Sequence, residues 1–251
     1  MTSGQRGPMS QDGGRHQQDP AVRAAWDESF LGCIPGSAIR NELLSDAVTS
    51  TFATGDLVRE IDFQWLLPEP YPVTLVVEGV FRGYLGSPNG RQATVQYMRQ
   101  GDTWGLVRTL SEKPVFDQRL RFQALVPSRV LLIHGARFMS AVQSHPAVGV
   151  ALARELARIV MLRTRALESS VFSDTSTRVA QHIVQLAEKD PSSGIPTVWL
   201  SQQEMADAVG TVREVVTRII GQFRSRGIVQ YSGRRLEILD LDALTRESQT
   251  S

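Results

Sequence analysis

Arg213, Glu214 and Arg218 bring two guanidiniums and a carboxylate together within a short span of chain. A guanidinium can bridge O6 and N7 of guanine with two parallel hydrogen bonds, and a carboxylate can accept from N4 of cytosine, so these side-chain types suit the reading of base edges in a major groove. They do so only if they stand on one exposed face of a rigid element.

The surrounding stretch, Leu200–Arg235, is LSQQEMADAVGTVREVVTRIIGQFRSRGIVQYSGRR, and its spacing supplies such an element. Ser201 and Glu204 have the separation of a capping box, which starts a helix near Gln202. Met205, Ala206 and Val209 share one apolar face, and Gly210 stands where a chain leaves a helix through a left-handed residue. Thr211 and Glu214 repeat the capping separation. Val212, Val215, Val216, Ile219, Ile220 and Phe223 then give inward positions to a second helix of about four turns, with Arg213, Glu214, Thr217 and Arg218 left on its outer N-terminal face. Beyond Gly227, IVQYSGRRLEIL reads as two short strands around a Ser232-Gly233 turn, which puts Arg234 and Arg235 near the tip of a wing. The helix-turn-helix order makes Arg213, Glu214 and Arg218 the candidates for base readout. Ser201, Thr211, Thr217, Arg234 and Arg235 are the candidates for contacts to the DNA backbone. From Ser201 to Arg235 the net charge is +3, whereas the entire chain carries +1, so positive charge gathers on this segment. Two short helices with a glycine turn also occur in ordinary globular proteins, and arginines often mark a merely solvated face. The residues themselves leave both readings open.

At GTVREVVTR the chain resembles the recognition element of the cAMP receptor protein and FNR family, whose members carry an Arg-Glu pair and a second Arg five residues after the first. The likeness covers residues 45 to 240, and from Ile133 to Lys189 it runs without a gap through Phe138, Pro146, the acidic Asp174, Arg178, Ala180 and Gln181. It implies an α+β protein: a cyclic-nucleotide-binding-like β-roll, a long dimerisation helix and a C-terminal winged helix-turn-helix. The expected parts are a disordered tail at 1–24, the sensor roll at 25–145, the dimerisation helix at 146–172 and the DNA-binding domain at 173–246. The function so implied is transcription regulation by a homodimer on double-stranded DNA, at an inverted repeat with a TGTGA-like half-site. RNA polymerase is left open as a further partner. Val212 and Val215 stand where the family often has small hydroxyl residues, which removes contacts that would help specify the operator.

The cyclic-nucleotide cassette departs from the family pattern. Members that bind cAMP have Gly-Glu-Leu, whose Glu accepts from the ribose hydroxyl, and later Arg-Ser, whose Arg neutralises the phosphate. Here the first place reads Gly105-Leu106-Val107 and the second Gln118-Arg119, while the Thr-Ser pair of the long helix becomes Arg163-Thr164. Loss of these partners for a buried nucleotide carries a large desolvation cost, so cAMP is not the expected effector. Another effector stays open, whether a different nucleotide or, less readily, a haem held through His134 or His145, and Arg108, Arg119 or Arg121 could line an anion pocket. No cofactor is expected. A module that docks protein instead of DNA is the alternative from another class.

The long helix is expected to start at Pro146, a residue favoured at a first helical position. Leu152, Leu156, Ile159, Arg163, Ala166 and Ser170 alternate steps of four and three. That is the period of a coiled-coil seam, and Leu152, Leu156, Ile159 and Ala166 are the candidate dimer contacts. The same stripe would equally suit a helix packed on its own roll. In the N-terminal part, Trp26–Leu31 and Ala38–Leu44 read as short helices. Strands follow from Val48, through Val73–Leu85, across a Ser87-Pro88-Asn89-Gly90 turn into RQATVQYM, and again at Gln118–Leu125 and Arg129–His134, with turns at Gly79 and Gly101.

Composition bounds the rest. The chain has 251 residues, enough for two modest domains, and its hydrophobic fraction of 41% is that of a soluble protein. Residues 1 to 20 lack an apolar run and are rich in Gly, Gln and Ser, which reads as a tail rather than a signal peptide and implies a cytoplasmic location without membrane contact. Cys33 is the single cysteine, so an internal disulfide and an iron-sulfur cluster held by four cysteines of one chain are excluded. The scattered His16, His134, His145 and His182 offer no metal-ligand spacing. Nucleophile elbows and phosphate-binding loops are missing, and catalysis is not expected.

Overall fold

The computed structural model describes residues 18–58, 71–86, 92–111, 120–190, 193–232 and 235–249. They fall into two compact units, one formed by the chain up to Tyr84 with Gln96–Ile159, the other by Leu85–Val95 with Val160 onward. The boundary therefore runs through the long helix, not at its start and end as the expected division had it. The hairpin end of the roll also groups with the second unit.

The first unit opens with helix α1, Pro20–Glu28, where the sequence suggested a tail to residue 24 and a helix at Trp26–Leu31. The start signal is local: Asp19 accepts from the N–H groups of Ala21 and Val22, and Pro20 occupies the first turn, where its missing N–H costs nothing. Ser29 ends the helix, and a 3-10 turn covers Phe30–Cys33. Helix α2, Ser37–Leu44, and strand β1, Val48–Phe52, follow as expected.

Two four-stranded sheets form the roll. One has the order β1-β8-β3-β6, with β3 at Val73–Glu78, β6 at Thr103–Trp104 and β8 at Ser128–Ile133; the other has β2-β7-β4-β5, with β2 at Leu57–Val58, β4 at Phe81–Gly86, β5 at Gln92–Met98 and β7 at Leu120–Ala124. The pairings β1·β8, β3·β8, β3·β6 and β2·β7 are antiparallel. The run Val73–Leu85 is divided between the sheets at Gly79, whose φ is +90° and whose place a Cβ could not share with Ser128. The expected Ser87–Gly90 turn lies outside the described residues.

Strand β3 is buried from Val73 to Val77 because both of its faces are covered. Val73, Leu75 and Val77 join Leu131 and Ile133 in a core closed by Val22, Trp26, Leu43, Phe138, Val148 and Leu152 from the helices. Val76, Val130 and Leu132 face the opposite way, into a roll interior with Phe52, Phe81, Met98 and Trp104. Phe122 stacks on Trp104 at 4.7 Å, and Phe81 meets Trp104 edge-on at 5.2 Å. Two helices of this unit were not anticipated: α3, Leu106–Leu110, and α4, Gly135–Ser144. Both lack a side-chain hydrogen bond at the N-cap, the feature that makes a helix start readable.

Helix α5 spans Pro146–Phe172, the bounds expected for the long helix. In the second unit it is followed by α6, Thr175–Leu186, capped by Asp174, whose carboxylate accepts from the Thr177 N–H. A third sheet has the order β11-β12-β10-β9, from Glu188–Lys189 (β9), Pro196–Trp199 (β10), Val229–Ser232 (β11) and Arg235–Ile238 (β12). Between β10 and β11 stand α7, Gln202–Val209, and α8, Arg213–Ser225; α9, Leu241–Glu247, closes the unit.

Candidate nucleic-acid interface

Helix α7 begins with a complete capping box. The Ser201 N–H donates to Glu204 Oε2 at 2.7 Å, and the Glu204 N–H donates to Ser201 Oγ at 3.2 Å. It ends at Gly210, with φ +71° and ψ +40°, where the N–H groups of Gly210 and Thr211 both reach the Ala206 carbonyl. That exit turns the chain directly into α8. The second capping box does not form: Val212 is the N-cap of α8 without a side-chain bond, because the Thr211 N–H is committed to closing α7.

Helix α8 buries Val216, Ile219, Ile220 and Phe223, and Met205 and Ala206 of α7 are buried too. This one-sided burial leaves Arg213, Glu214, Thr217 and Arg218 exposed. The Arg-Glu-Arg trio thus stands on a single solvent-facing side of the first turns of α8, as its spacing required. Beside it, Ser201, Gln202, Gln203, Arg213 and Tyr231 line a shallow hollow. Tyr231, in the wing strand β11, fixes one wall by donating its hydroxyl to the Leu200 carbonyl at 2.9 Å.

The proposed backbone contacts fare differently. Ser201 Oγ is spent on the cap. The Thr217 hydroxyl lies 2.6 Å from Gln202 Oε1 and 2.9 Å from the Arg213 carbonyl, so it is turned toward α7 instead of outward. The Arg235 guanidinium is held by Asp190 at 3.3 Å and Glu237 at 2.9 Å and lies 5.7 Å from the ring centre of the exposed Trp199. Its charge is balanced inside the wing. Arg234 lies outside the described residues. Gln202, Gln203 and Tyr231 escaped the reading of the sequence, because uncharged side chains on a cap and a strand carry no periodic signal. Arg178 braces the junction of α5 and α6: Nη1 donates to the Ser173 carbonyl at 2.7 Å and Nε to the Val209 carbonyl at 3.4 Å.

The residues at the nucleotide-cassette positions have other employments. Leu106 is a buried member of the helix-side core, and Gly105, with φ +94°, sits where a Cβ would strike the Pro72 carbonyl. Arg108 lies over the Tyr71 ring at 4.2 Å. Arg163 Nη1 donates to the Val95 carbonyl of β5 at 2.9 Å, and burial pushes its guanidinium pKa down. The Thr164 hydroxyl donates to the Val160 carbonyl, one turn back in its own helix. Gln118 and Arg119 lie outside the described residues.

Leu152 is 5% exposed within the helix-side core, and Leu156 and Ile159 pack against that core, so these three face their own roll. The side chain of Ala166 is outside the described set. The exposed positions with the same alternation are Val150, Ala153, Ala157, Val160, Thr164 and Leu167, a stripe one residue away in phase.

Among the described residues, no group of three His, Cys, Asp or Glu side chains could hold a metal ion, and no helix is long and apolar enough to cross a membrane.

A two-helix reading head with a β-wing, following a β-roll and a long helix, defines a transcription regulator with a cyclic-nucleotide-binding-like fold. Residues 177–247 match the Crp-like helix-turn-helix domain. The transcriptional regulator LdrP of Thermus thermophilus is 30% identical over 176 residues, covering 68% of this chain and 84% of that protein. The CRP-like cAMP-activated global transcriptional regulator of Mycobacterium tuberculosis is 26% identical over 182 residues, covering 70% and 79%. A putative transcriptional regulator of the Crp/Fnr family from Eubacterium rectale shares the fold with a TM-score of 0.68 at 18% identity, over 86% of this chain and 96% of that one. The chain belongs to the cAMP receptor protein/FNR family of transcription regulators.

Proposed function

We propose that the protein acts as a cytoplasmic homodimer that reads an inverted-repeat operator with a TGTGA-like half-site, without requiring cAMP. Arg213 and Arg218 bind guanines in the major groove, and Glu214 accepts from a cytosine. The observation that carries this reading is the exposure of all three at the start of α8, whose opposite face is buried. Dimerisation uses the outer stripe of α5.

Independence from cAMP rests on the side chains at the cassette. The Mycobacterium tuberculosis relative is named as cAMP-activated. In this chain the carboxylate position is taken by Leu106, packed in the core, and Arg163 is engaged by the Val95 carbonyl. A ribose hydroxyl would find no acceptor in a leucine, and its desolvation would go uncompensated.

The decisive experiment compares Arg213→Ala with the wild type on the preferred palindrome and on random duplex. Loss of bidentate guanine contact costs about 1 to 3 kcal/mol on the palindrome and much less on random DNA. Equal loss on both would reduce Arg213 to a phosphate contact. Titration calorimetry with cAMP tests the second half of the proposal, and micromolar binding would overturn it.

A further inference from the structure

The Thr217–Gln202 contact gives the reading face a fourth member. On α8, Thr217 lies one turn beyond Arg213, angularly between Arg213 and Glu214, near the middle of the surface these residues and Arg218 define. Its exposed side chain has one polar and one apolar branch. The polar branch is occupied: the hydroxyl sits between Gln202 Oε1, at 2.6 Å, and the Arg213 carbonyl, at 2.9 Å. Turning away from those partners would break the link between α7 and α8. With the hydroxyl engaged by both partners, the γ-methyl is the branch of this exposed side chain that has no polar partner of its own.

We propose that Thr217 is a specificity-determining residue that reads thymine through methyl–methyl contact, with Gln202 as the positioning residue that holds its rotamer. Thymine is the one DNA base with a methyl in the major groove, and apolar contact to it discriminates without hydrogen bonds. Gln202 does not touch the base. By engaging the hydroxyl it keeps Thr217 from presenting a donor or acceptor to the base edges, so the centre of the reading face is apolar between two cations and an anion. This inference rests on the proposed readout by α8 and adds a base contact to it.

The test uses the full-length protein and its preferred duplex, obtained by selection from randomised DNA. Each thymine is replaced singly by deoxyuridine, which removes only the C5 methyl. Wild-type protein is expected to lose roughly fourfold in affinity at one thymine of each half-site, the value of about 0.8 kcal/mol for one buried methyl-sized group. Thr217→Ser keeps the hydroxyl and removes the methyl, so its affinity for thymine and uracil duplexes should be equal at that position. Thr217→Val keeps a methyl and should retain the discrimination. Gln202→Ala frees the rotamer and should shrink it, while Gln202→Glu, which keeps an acceptor for the hydroxyl, should restore it.

Uracil substitution without effect at every thymine overturns the inference, as does a Thr217→Ser profile identical to that of the wild type. If Arg213→Ala still abolishes preference for the selected duplex in that case, only the thymine contact falls. If selection yields no preferred duplex, the readout by α8 falls with it.

Discussion

The Arg235 guanidinium has two carboxylates for neighbours, Asp190 and Glu237, and an indole nearby, so its charge is already answered within the wing. A phosphate would have to displace them. Each phosphate neutralised adds about 0.9 to the slope of log K against log salt. Arg235→Ala is therefore expected to change that slope by less than about half a unit; a change near one unit would show that the ion pairs open on DNA. Two aspartates make the acid behaviour of the first unit legible at the same scale. The Arg129 guanidinium, 2.6 Å from Asp19, holds that carboxyl below its ordinary pKa, whereas burial pushes Asp102 above it. Asp19 thus contributes stability above its unfolded pKa, and this is lost as pH falls through the lowered folded value. For Asp102 the sign is opposite, and stability is lost as pH rises through the raised folded value. Relative to wild type, Asp102→Asn should gain melting temperature as pH climbs from about 4 toward neutrality, whereas the deficit of Asp19→Asn should be constant above about pH 4 and shrink as pH falls below it. Thermal unfolding across both ranges checks the two assignments, and a stability loss for Asp102→Asn that grows with pH contradicts the second.

Helix α7 depends on two local devices, the Ser201–Glu204 box and the left-handed exit at Gly210. Ser201→Ala should cost about 1 kcal/mol. Gly210→Ala should cost about 1 to 2 kcal/mol, from backbone conformation and not from crowding, since nothing lies within 4 Å of the place its Cβ would take. Denaturant unfolding measures each; a neutral Gly210→Ala would mean that the turn relaxes. Such devices were readable in the sequence because both partners lie within a few residues of each other. The Thr211–Glu214 pair had the same spacing and failed, because the Thr211 N–H was claimed by a carbonyl five residues back. Asp19-Pro20 was an equally local signal at the start of α1, obscured by the polar composition around it. Helices α3 and α4 offered no cap to read. On α8 the burial of Val216, Ile219, Ile220 and Phe223 followed from periodicity, and with it the exposure of the Arg-Glu-Arg trio. What periodicity could not supply was the commitment of Arg235 and Thr217 to neighbours distant in sequence.

The long helix carries two apolar stripes of equal period, and only packing tells which belongs to the molecule's own roll. Leu152, Leu156 and Ile159 are satisfied there. Val160 and Leu167 remain 61% and 65% exposed, and burying them requires another surface with the same period. A second copy of α5 would supply one, in the isologous arrangement that the proposed two-fold operator demands. Substitutions in the two stripes should therefore separate association from folding. Val160→Asp with Leu167→Asp places like charges opposite each other across the seam and should yield a folded monomer by light scattering, with an unchanged melting profile for the roll. Leu152→Ala should cost about 2 to 5 kcal/mol of roll stability through the cavity it leaves, while the folded fraction stays dimeric. The monomer would still carry one reading head, so its affinity for the palindrome should fall to that for an isolated half-site, because the second contact is no longer intramolecular. If the charged double variant remains a dimer, or if Leu152→Ala dissociates without loss of stability, the seam lies on the inner stripe and the helix must repack to expose it.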